Sequence, residues 1–266
     1  MDSSKLLVLK NLSVWYTQGK PVLDNFSMEL NTNEVVGLIG LNGAGKTTFI
    51  KTLSGLLGSF RVETALWQDK PLLFRDRESI PTSDKIFQFL PVTRRVSGCH
   101  ATGRKENLTA REYKKERYVV FAEDRSFQFF TFREYISYVG ASYGKKLSGI
   151  EELVRGFHFE EYTDVLLKEL STGNLKKAYL ITAFALKPKL LLLDEPVNGL
   201  DFQSTEYLYQ QIGGYRQYGT VLFSSHILES ICLTSDRVLV LEQGQIKKCY
   251  AGQEIETGKI REALKV

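Results

Sequence analysis

The chain has 266 residues, 43% of them hydrophobic and 25% charged, with a net charge of +4. That balance suits a globular domain. No apolar run approaches the roughly 20 residues that span a bilayer, and a +4 excess alone does not argue for a nucleic-acid or membrane partner. Cys99, Cys232 and Cys249 show no paired spacing, which argues against a disulfide framework and a zinc site and fits a reducing cytosol. Met1 to Lys5 lacks the basic start and apolar core of a secretory signal.

In chain order, Leu6–Leu9 and Leu12–Tyr16 read as a first strand region. Val22–Leu30 alternates apolar and polar residues as a half-buried strand does, so two antiparallel strands are expected. Tyr16 ends the first. An aromatic there either stacks on a purine ring or is a half-buried residue at a strand edge. The apolar run Val35–Ile39 then feeds into Gly40-Leu41-Asn42-Gly43-Ala44-Gly45-Lys46-Thr47, and Thr48–Leu53 has a helical pattern. Strand, glycine-rich turn and helix start are the context of a P-loop. Backbone N–H groups in such a turn cradle phosphate oxygens, and side chains on Gly43 or Gly45 would obstruct that approach. The helix adds the positive end of its dipole. Lys46 can reach the β- and γ-phosphates, and the Thr47 hydroxyl can ligate Mg²⁺. Gly40, Asn42, Gly43, Ala44, Gly45, Lys46, Thr47 and Thr48 are therefore candidate ATP-binding residues.

Val62–Trp67 reads as a short strand. From Arg75 to Arg117 periodicity is poor, Pro81, Pro91, Gly98 and Gly103 intervene, and eleven Lys or Arg stand against six Asp or Glu. The basic excess of this one stretch is larger than that of the whole chain, and a loop so long inside a compact domain is usually functional or disordered. Tyr118–Ala122 is a continuous apolar run typical of a buried parallel strand, closed by Glu123-Asp124. Helical spacing follows from Phe132 to Tyr143 with Thr131 as N-cap, over Ile150–Arg155, and from near Ser171 to Lys187, where Pro188 stops it. Leu190–Leu193 runs directly into Asp194-Glu195-Pro196, two carboxylates at the carboxyl end of a buried strand, where ligands bind in open α/β sheets. Asp194 can hold Mg²⁺ and Glu195 can orient an attacking water. A helix over Asp201–Tyr215, a strand over Thr220–Ser224 with His226 just beyond, a hairpin about Glu242-Gln243-Gly244 and a helical tail from Gln253 complete the pattern.

Leu170-Ser171-Thr172-Gly173-Asn174, one helix before the Asp194 strand, resembles the Leu-Ser-Gly-Gly-Gln signature of the ATP-binding-cassette (ABC) family, with Thr172 and Asn174 departing from its commonest residues. The resemblance covers nearly the whole chain outside residues 78–111. It implies that Ser171 and Gly173 serve a γ-phosphate, that Asn198-Gly199-Leu200-Asp201 is the D-loop and that His226 is the switch histidine. It also implies that Tyr16 stacks on adenine. Glu123 stands where the family usually has a Gln that contacts Mg²⁺ and senses the membrane subunit, and Glu is a variant there in transporters of lantibiotics and related peptides. The other reading makes Glu123 an ordinary loop acid.

The expectation is one α/β domain over residues 1–266, a P-loop NTPase core with an N-terminal antiparallel β-subdomain and a helical subdomain over about 131–171. Residues 78–111 are expected to be an insertion, the alternative being a basic loop that touches anionic lipid or nucleic acid. The resemblance implies ATP and Mg²⁺ as cofactors, catalytic roles for Glu195, His226 and Lys46, and Thr47, Asp194 and Glu123 around the metal. It implies a second ATP-binding subunit and a separate polytopic membrane permease as partners, with no nucleic acid, and a cytoplasmic place on the inner face of the membrane. An exporter of peptides or drugs is favoured. A soluble ABC ATPase acting on ribosomes or nucleic acid, or a hydrolysis-impaired regulatory subunit, are the alternatives.

Overall fold

In the computed structural model, residues 4–17, 19–72 and 108–264 are described. The first strands pair as their alternation predicts: β1 (Lys5–Thr17) lies antiparallel to β2 (Lys20–Asn31). After β3 (Val35–Ile39) and α1 (Lys46–Leu53) come β4 (Phe60–Arg61), β5 (Thr64–Trp67) and β6 (Lys70–Pro71). β5 adds to the other side of β1, β6 to β5, and β4 also pairs with β1. Phe26 of this sheet packs on Phe49 of α1, ring centroids 4.5 Å apart, and so seats the antiparallel layer on the P-loop helix.

Residues 110–116, expected to be irregular, form α2 (Ala110–Glu116). Its start is a capping box: the Glu112 amide donates to the Thr109 hydroxyl (3.2 Å) and the Thr109 amide to the Glu112 carboxylate (2.8 Å). Tyr113 on this helix is buried edge-on against Trp67 at 5.1 Å. Most of the expected insertion, residues 78–107, lies outside the described residues, whereas Leu108–Arg111 belong to the packed structure. The Leu108 amide donates to the Pro71 carbonyl (3.0 Å) and Leu108 bridges Leu72, so the described residues on either side of 73–107 are neighbours.

β7 (Arg117–Val120) begins one residue before and ends two residues before the expected strand. The buried Arg117 donates to the Ser54 carbonyl just past α1, which recruits it into the strand. α3 (Phe132–Tyr143) starts with a capping box between Thr131 and Glu134, and α4 (Ile150–Gly156) and two short 3₁₀ turns lead to α5 (Thr172–Leu186). α5 is buried continuously from Lys176 to Leu186, and from Ala178 onward it is apolar on nearly every side, as a core helix is. β8 (Leu190–Leu193), α6 (Phe202–Gly214), β9 (Thr220–Ser225), α7 (Leu228–Thr234), β10 (Arg237–Glu242), β11 (Gln245–Ala251) and α8 (Thr257–Leu264) follow. The sequence reading did not anticipate α7.

The second sheet has the order β11-β10-β3-β9-β8-β7, parallel throughout except for the edge strand β11. Every residue of β3, β8 and β9 is buried, as strands covered on both faces require. At roughly 1.5–3 kcal/mol for each fully buried Leu or Val, this run anchors the domain. It also fixes the register that brings the carboxyl ends of β3, β9, β8 and β7 into one row.

Candidate functional site

That row carries the chemistry. Ile39 pairs with Ser225, Leu193 with Phe223 and Val120 with Leu193, so the segments leaving the four strands emerge side by side. From β3 comes the P-loop, from β9 Ser224 to His226, from β8 Asp194-Glu195, and from β7 the turn with Glu123. This is the crevice at the carboxyl ends of a parallel sheet.

The P-loop turns tightly into α1. Gly43 and Gly45 have φ of +83° and +108°, and a Cβ on Gly45 would lie 2.7 Å from Leu23. The backbone conformation therefore demands glycine at both positions. The Lys46 ammonium is buried and curls back to the Gly40 carbonyl (2.7 Å), with the Leu41 carbonyl at 3.4 Å. Gly40, Ala44 and Gly45 are buried while Asn42 and Gly43 face outward. Thr48 is buried, and its hydroxyl lies 3.4 Å from that of Tyr16, which is 58% exposed at the end of β1.

The carboxylates form a connected series. The Thr47 hydroxyl donates to Asp194 Oδ1 (3.1 Å), and the Ser224 hydroxyl donates to the same oxygen (2.8 Å). Ser224 Oγ in turn accepts from the Glu195 amide (2.9 Å). Glu195 Oε2 meets His226 Nδ1 at 2.7 Å, and its Oε1 lies 3.7 Å from the Lys46 ammonium. Glu195 has φ of +47°, a left-handed conformation that costs a side-chain-bearing residue on the order of 1 kcal/mol and concentrates at functional sites. Sequence reasoning missed Ser224, which looks like one more small residue in a buried strand; its hydroxyl among Val, Leu and Phe was the available signal.

An anion and a hard cation both fit these residues. Among the described residues, the buried Lys46 ammonium has the Gly40 and Leu41 carbonyl oxygens and the more distant Glu195 carboxylate as polar partners, and backbone N–H groups precede it. Thr47 and Asp194 together offer hydroxyl and carboxylate oxygens, the donors of Mg²⁺. Among the described residues no group of three or more His, Cys, Asp or Glu could hold a metal alone. Mg²⁺ commonly makes up such a deficit with water and substrate phosphates. Glu123 is exposed, and among the described residues it hydrogen-bonds to neither Thr47 nor Asp194, so the structure joins only two of the three expected metal residues.

The signature segment sits at the start of α5. The Ser171 hydroxyl caps the helix by accepting from the Asn174 amide (3.2 Å), and Ser171 is exposed. A Cβ on Gly173 would lie 2.3 Å from the Gly199 carbonyl oxygen, so this position needs glycine to pass the Asn198–Asp201 segment. Asp201 caps α6 by accepting from the Ser204 amide (2.8 Å) and pairs with the buried Lys177 at 2.6 Å. Partial burial pushes the Asp201 carboxyl up, but these bonds outweigh it and hold it well below the usual range. Burial pushes the Lys176 ammonium down to about 8, against the pull of Asp194, Asp124, Glu195 and Glu123. Neither lysine was singled out from sequence, although two adjacent lysines in an otherwise apolar helix were visible.

A sequence profile described as an ABC transporter matches residues 23–198. The chain belongs to the ABC transporter family. It is 33% identical to the ABC transporter ATP-binding protein AlbC of Bacillus subtilis, over 98% of each chain. It is 29% identical to the energy-coupling factor transporter ATP-binding protein EcfA2 of Clostridium perfringens, over 97% of this chain and 81% of the relative. Its fold superposes on a solved ATP-binding subunit of an ABC transporter with a TM-score of 0.72 at 24% identity, covering 92% of this chain and 90% of the other. The chain is thus an ATP-binding subunit of a membrane transporter, an ATPase with the α/β ABC fold that its motifs imply. Among the described residues no helix is long and apolar enough to cross a membrane.

Proposed function

We propose that this subunit powers an exporter of peptides or drugs by hydrolysing ATP at the ends of β3, β8 and β9. The observation that carries the reading is the continuous series Thr47–Asp194–Ser224–Glu195–His226, closed by Lys46. The P-loop amides of Gly40 to Thr48 and the Lys46 ammonium hold the phosphates, and Tyr16 stacks on adenine. Thr47 and Asp194 would hold Mg²⁺, which supplies offsetting charge to the phosphate oxygens when bound. Glu195 orients a water in line with the γ-phosphorus. As the P–O bond to the water oxygen forms, the P–O bond to ADP breaks and ADP leaves with the electron pair, while Glu195 accepts the proton of the attacking water. His226 turns from Glu195 toward the γ-phosphate.

In this reading two ATP-binding subunits enclose the nucleotides head to tail. Ser171 and Gly173 serve the nucleotide held by the other subunit, and Asp201 lines the same interface. A polytopic membrane subunit receives the motion, sensed through Glu123, so the chain works on the cytoplasmic face of the membrane and binds no nucleic acid. Glu123, in place of the family's usual Gln, supports export of peptides.

Co-expression with the membrane protein encoded beside it, followed by transport assays in inverted vesicles, tests this. ATP-dependent accumulation of a labelled cationic peptide, lost in Lys46→Ala, is the expected result. Co-sedimentation with ribosomes and no co-purifying membrane protein would contradict it.

A further inference from the structure

Lys176 is a cation kept inside the protein at a desolvation cost: it is only 5% exposed, one turn into α5. Its ammonium donates to the Phe121 carbonyl (2.7 Å) and the Ala122 carbonyl (2.8 Å), the two residues that lead into Glu123. Asp194 and Glu195 from the end of β8, and Glu123 and Asp124 from the turn after β7, act on it electrostatically. The next residue, Lys177, pairs with Asp201 at the cap of α6. The first turns of α5 are thus fastened on one side to the segment entering the Glu123 turn and on the other to Asp201.

We propose that Lys176 is a positioning residue for hydrolysis, tying the start of the signature helix to the Glu123 turn and fixing a positive charge beside Asp194 and Glu195. A displacement at either end of this link is then felt at the other, and the carboxylates that position the attacking water are held against a charge that does not diffuse away. Lys176 has no part in holding the nucleotide. Its loss should therefore appear in turnover and spare binding. The proposal rests on the assignment of Glu195 to the water.

The test compares steady-state ATPase constants and thermal midpoints of the full chain with Lys176→Met, Lys176→Arg and, in parallel, Glu195→Gln. Lys176→Met is expected to lower kcat about tenfold with KM for MgATP within about twofold of wild type, since the charged hydrogen bonds that hold the Glu123 turn to α5 are lost and contacts to the nucleotide are not. Its thermal midpoint should change little, because relief of the buried cation's desolvation opposes the loss of the donor to the Phe121 and Ala122 carbonyls. Lys176→Arg, which keeps charge and donors, should recover part of the turnover. Lys176→Met with near-wild-type kcat, or a loss shared equally by kcat, KM and thermal midpoint with no recovery in Lys176→Arg, would overturn the proposal. Should Lys176→Met not fold, Lys176→Gln is read by the same constants. Turnover persisting in Glu195→Gln would instead overturn the underlying site assignment, whatever the Lys176 variants do.

Discussion

At the ends of β3, β8 and β9, the polar side chains from Thr47 to His226 link to one another within a single chain. At the start of α5, by contrast, the exposed Ser171 bonds, among the described residues, to its own helix, and Gly173 abuts the backbone at Gly199. The first region is organised before anything binds. The second is a capped helix start, where the Asn174 and Leu175 amides already bond to Ser171. On the proposed reading, in which two subunits divide the site, the first region is the face that holds the nucleotide and the second the face offered to the partner's nucleotide.

The comparison can be broken most severely at Glu195. Glu195→Gln should retain ATP binding but lose about 10²–10⁴-fold in turnover, the range expected when a positioned proton acceptor is removed. Single-turnover hydrolysis with labelled ATP measures it, and an ATP-dependent dimer on size exclusion should accumulate in the same variant. Ser224→Ala comes next. It strips Asp194 Oδ1 of one donor and leaves the Glu195 amide without its acceptor, at about 1–3 kcal/mol for a buried group left unsatisfied. Turnover should fall about tenfold with a lower thermal midpoint, whereas Ser225→Ala, one residue on, should change turnover little.

Glu123→Ala addresses the turn between the two regions. It should lower transport several-fold more than the ATPase of the isolated subunit, in keeping with couplings of about 0.5–2 kcal/mol. Equal losses in both assays would assign Glu123 to the nucleotide site or to stability. The smallest effect belongs to residues 78–107. Because Leu72 and Leu108 are neighbours, deleting 78–107, so that residues 73–77 alone join them and Thr109 still caps α2, should leave folding and ATPase near wild type. Loss of hydrolysis would make that stretch part of the working domain.

What was legible in the sequence was chemistry written contiguously. The P-loop, the Leu190–Glu195 strand end and the Ser171 segment each lie within eight residues and are found where the sequence puts them, and strong periodicity marked the core strands. Thr109 and Glu112 also spelled a helix start, but they were submerged in a basic, aperiodic stretch, so α2 was missed. Ser224 was invisible for a different reason. Its importance comes from the register of β8 beside β9, which places its hydroxyl between Asp194 and the Glu195 amide, and no local pattern encodes that adjacency. The same holds for Lys176, whose partners are carbonyls more than fifty residues away.

The most direct test of the divided site mixes two inactive variants. Lys46→Ala disables the P-loop face and Ser171→Arg the signature face. If the faces serve different nucleotides across a dimer, each mixed dimer rebuilds one site with both faces intact. Neither protein alone should hydrolyse ATP at a useful rate, and mixing them should restore turnover in proportion to the mixed dimers formed. A mixture as inactive as its components would show that Ser171 acts on the nucleotide of its own chain and would contradict the account.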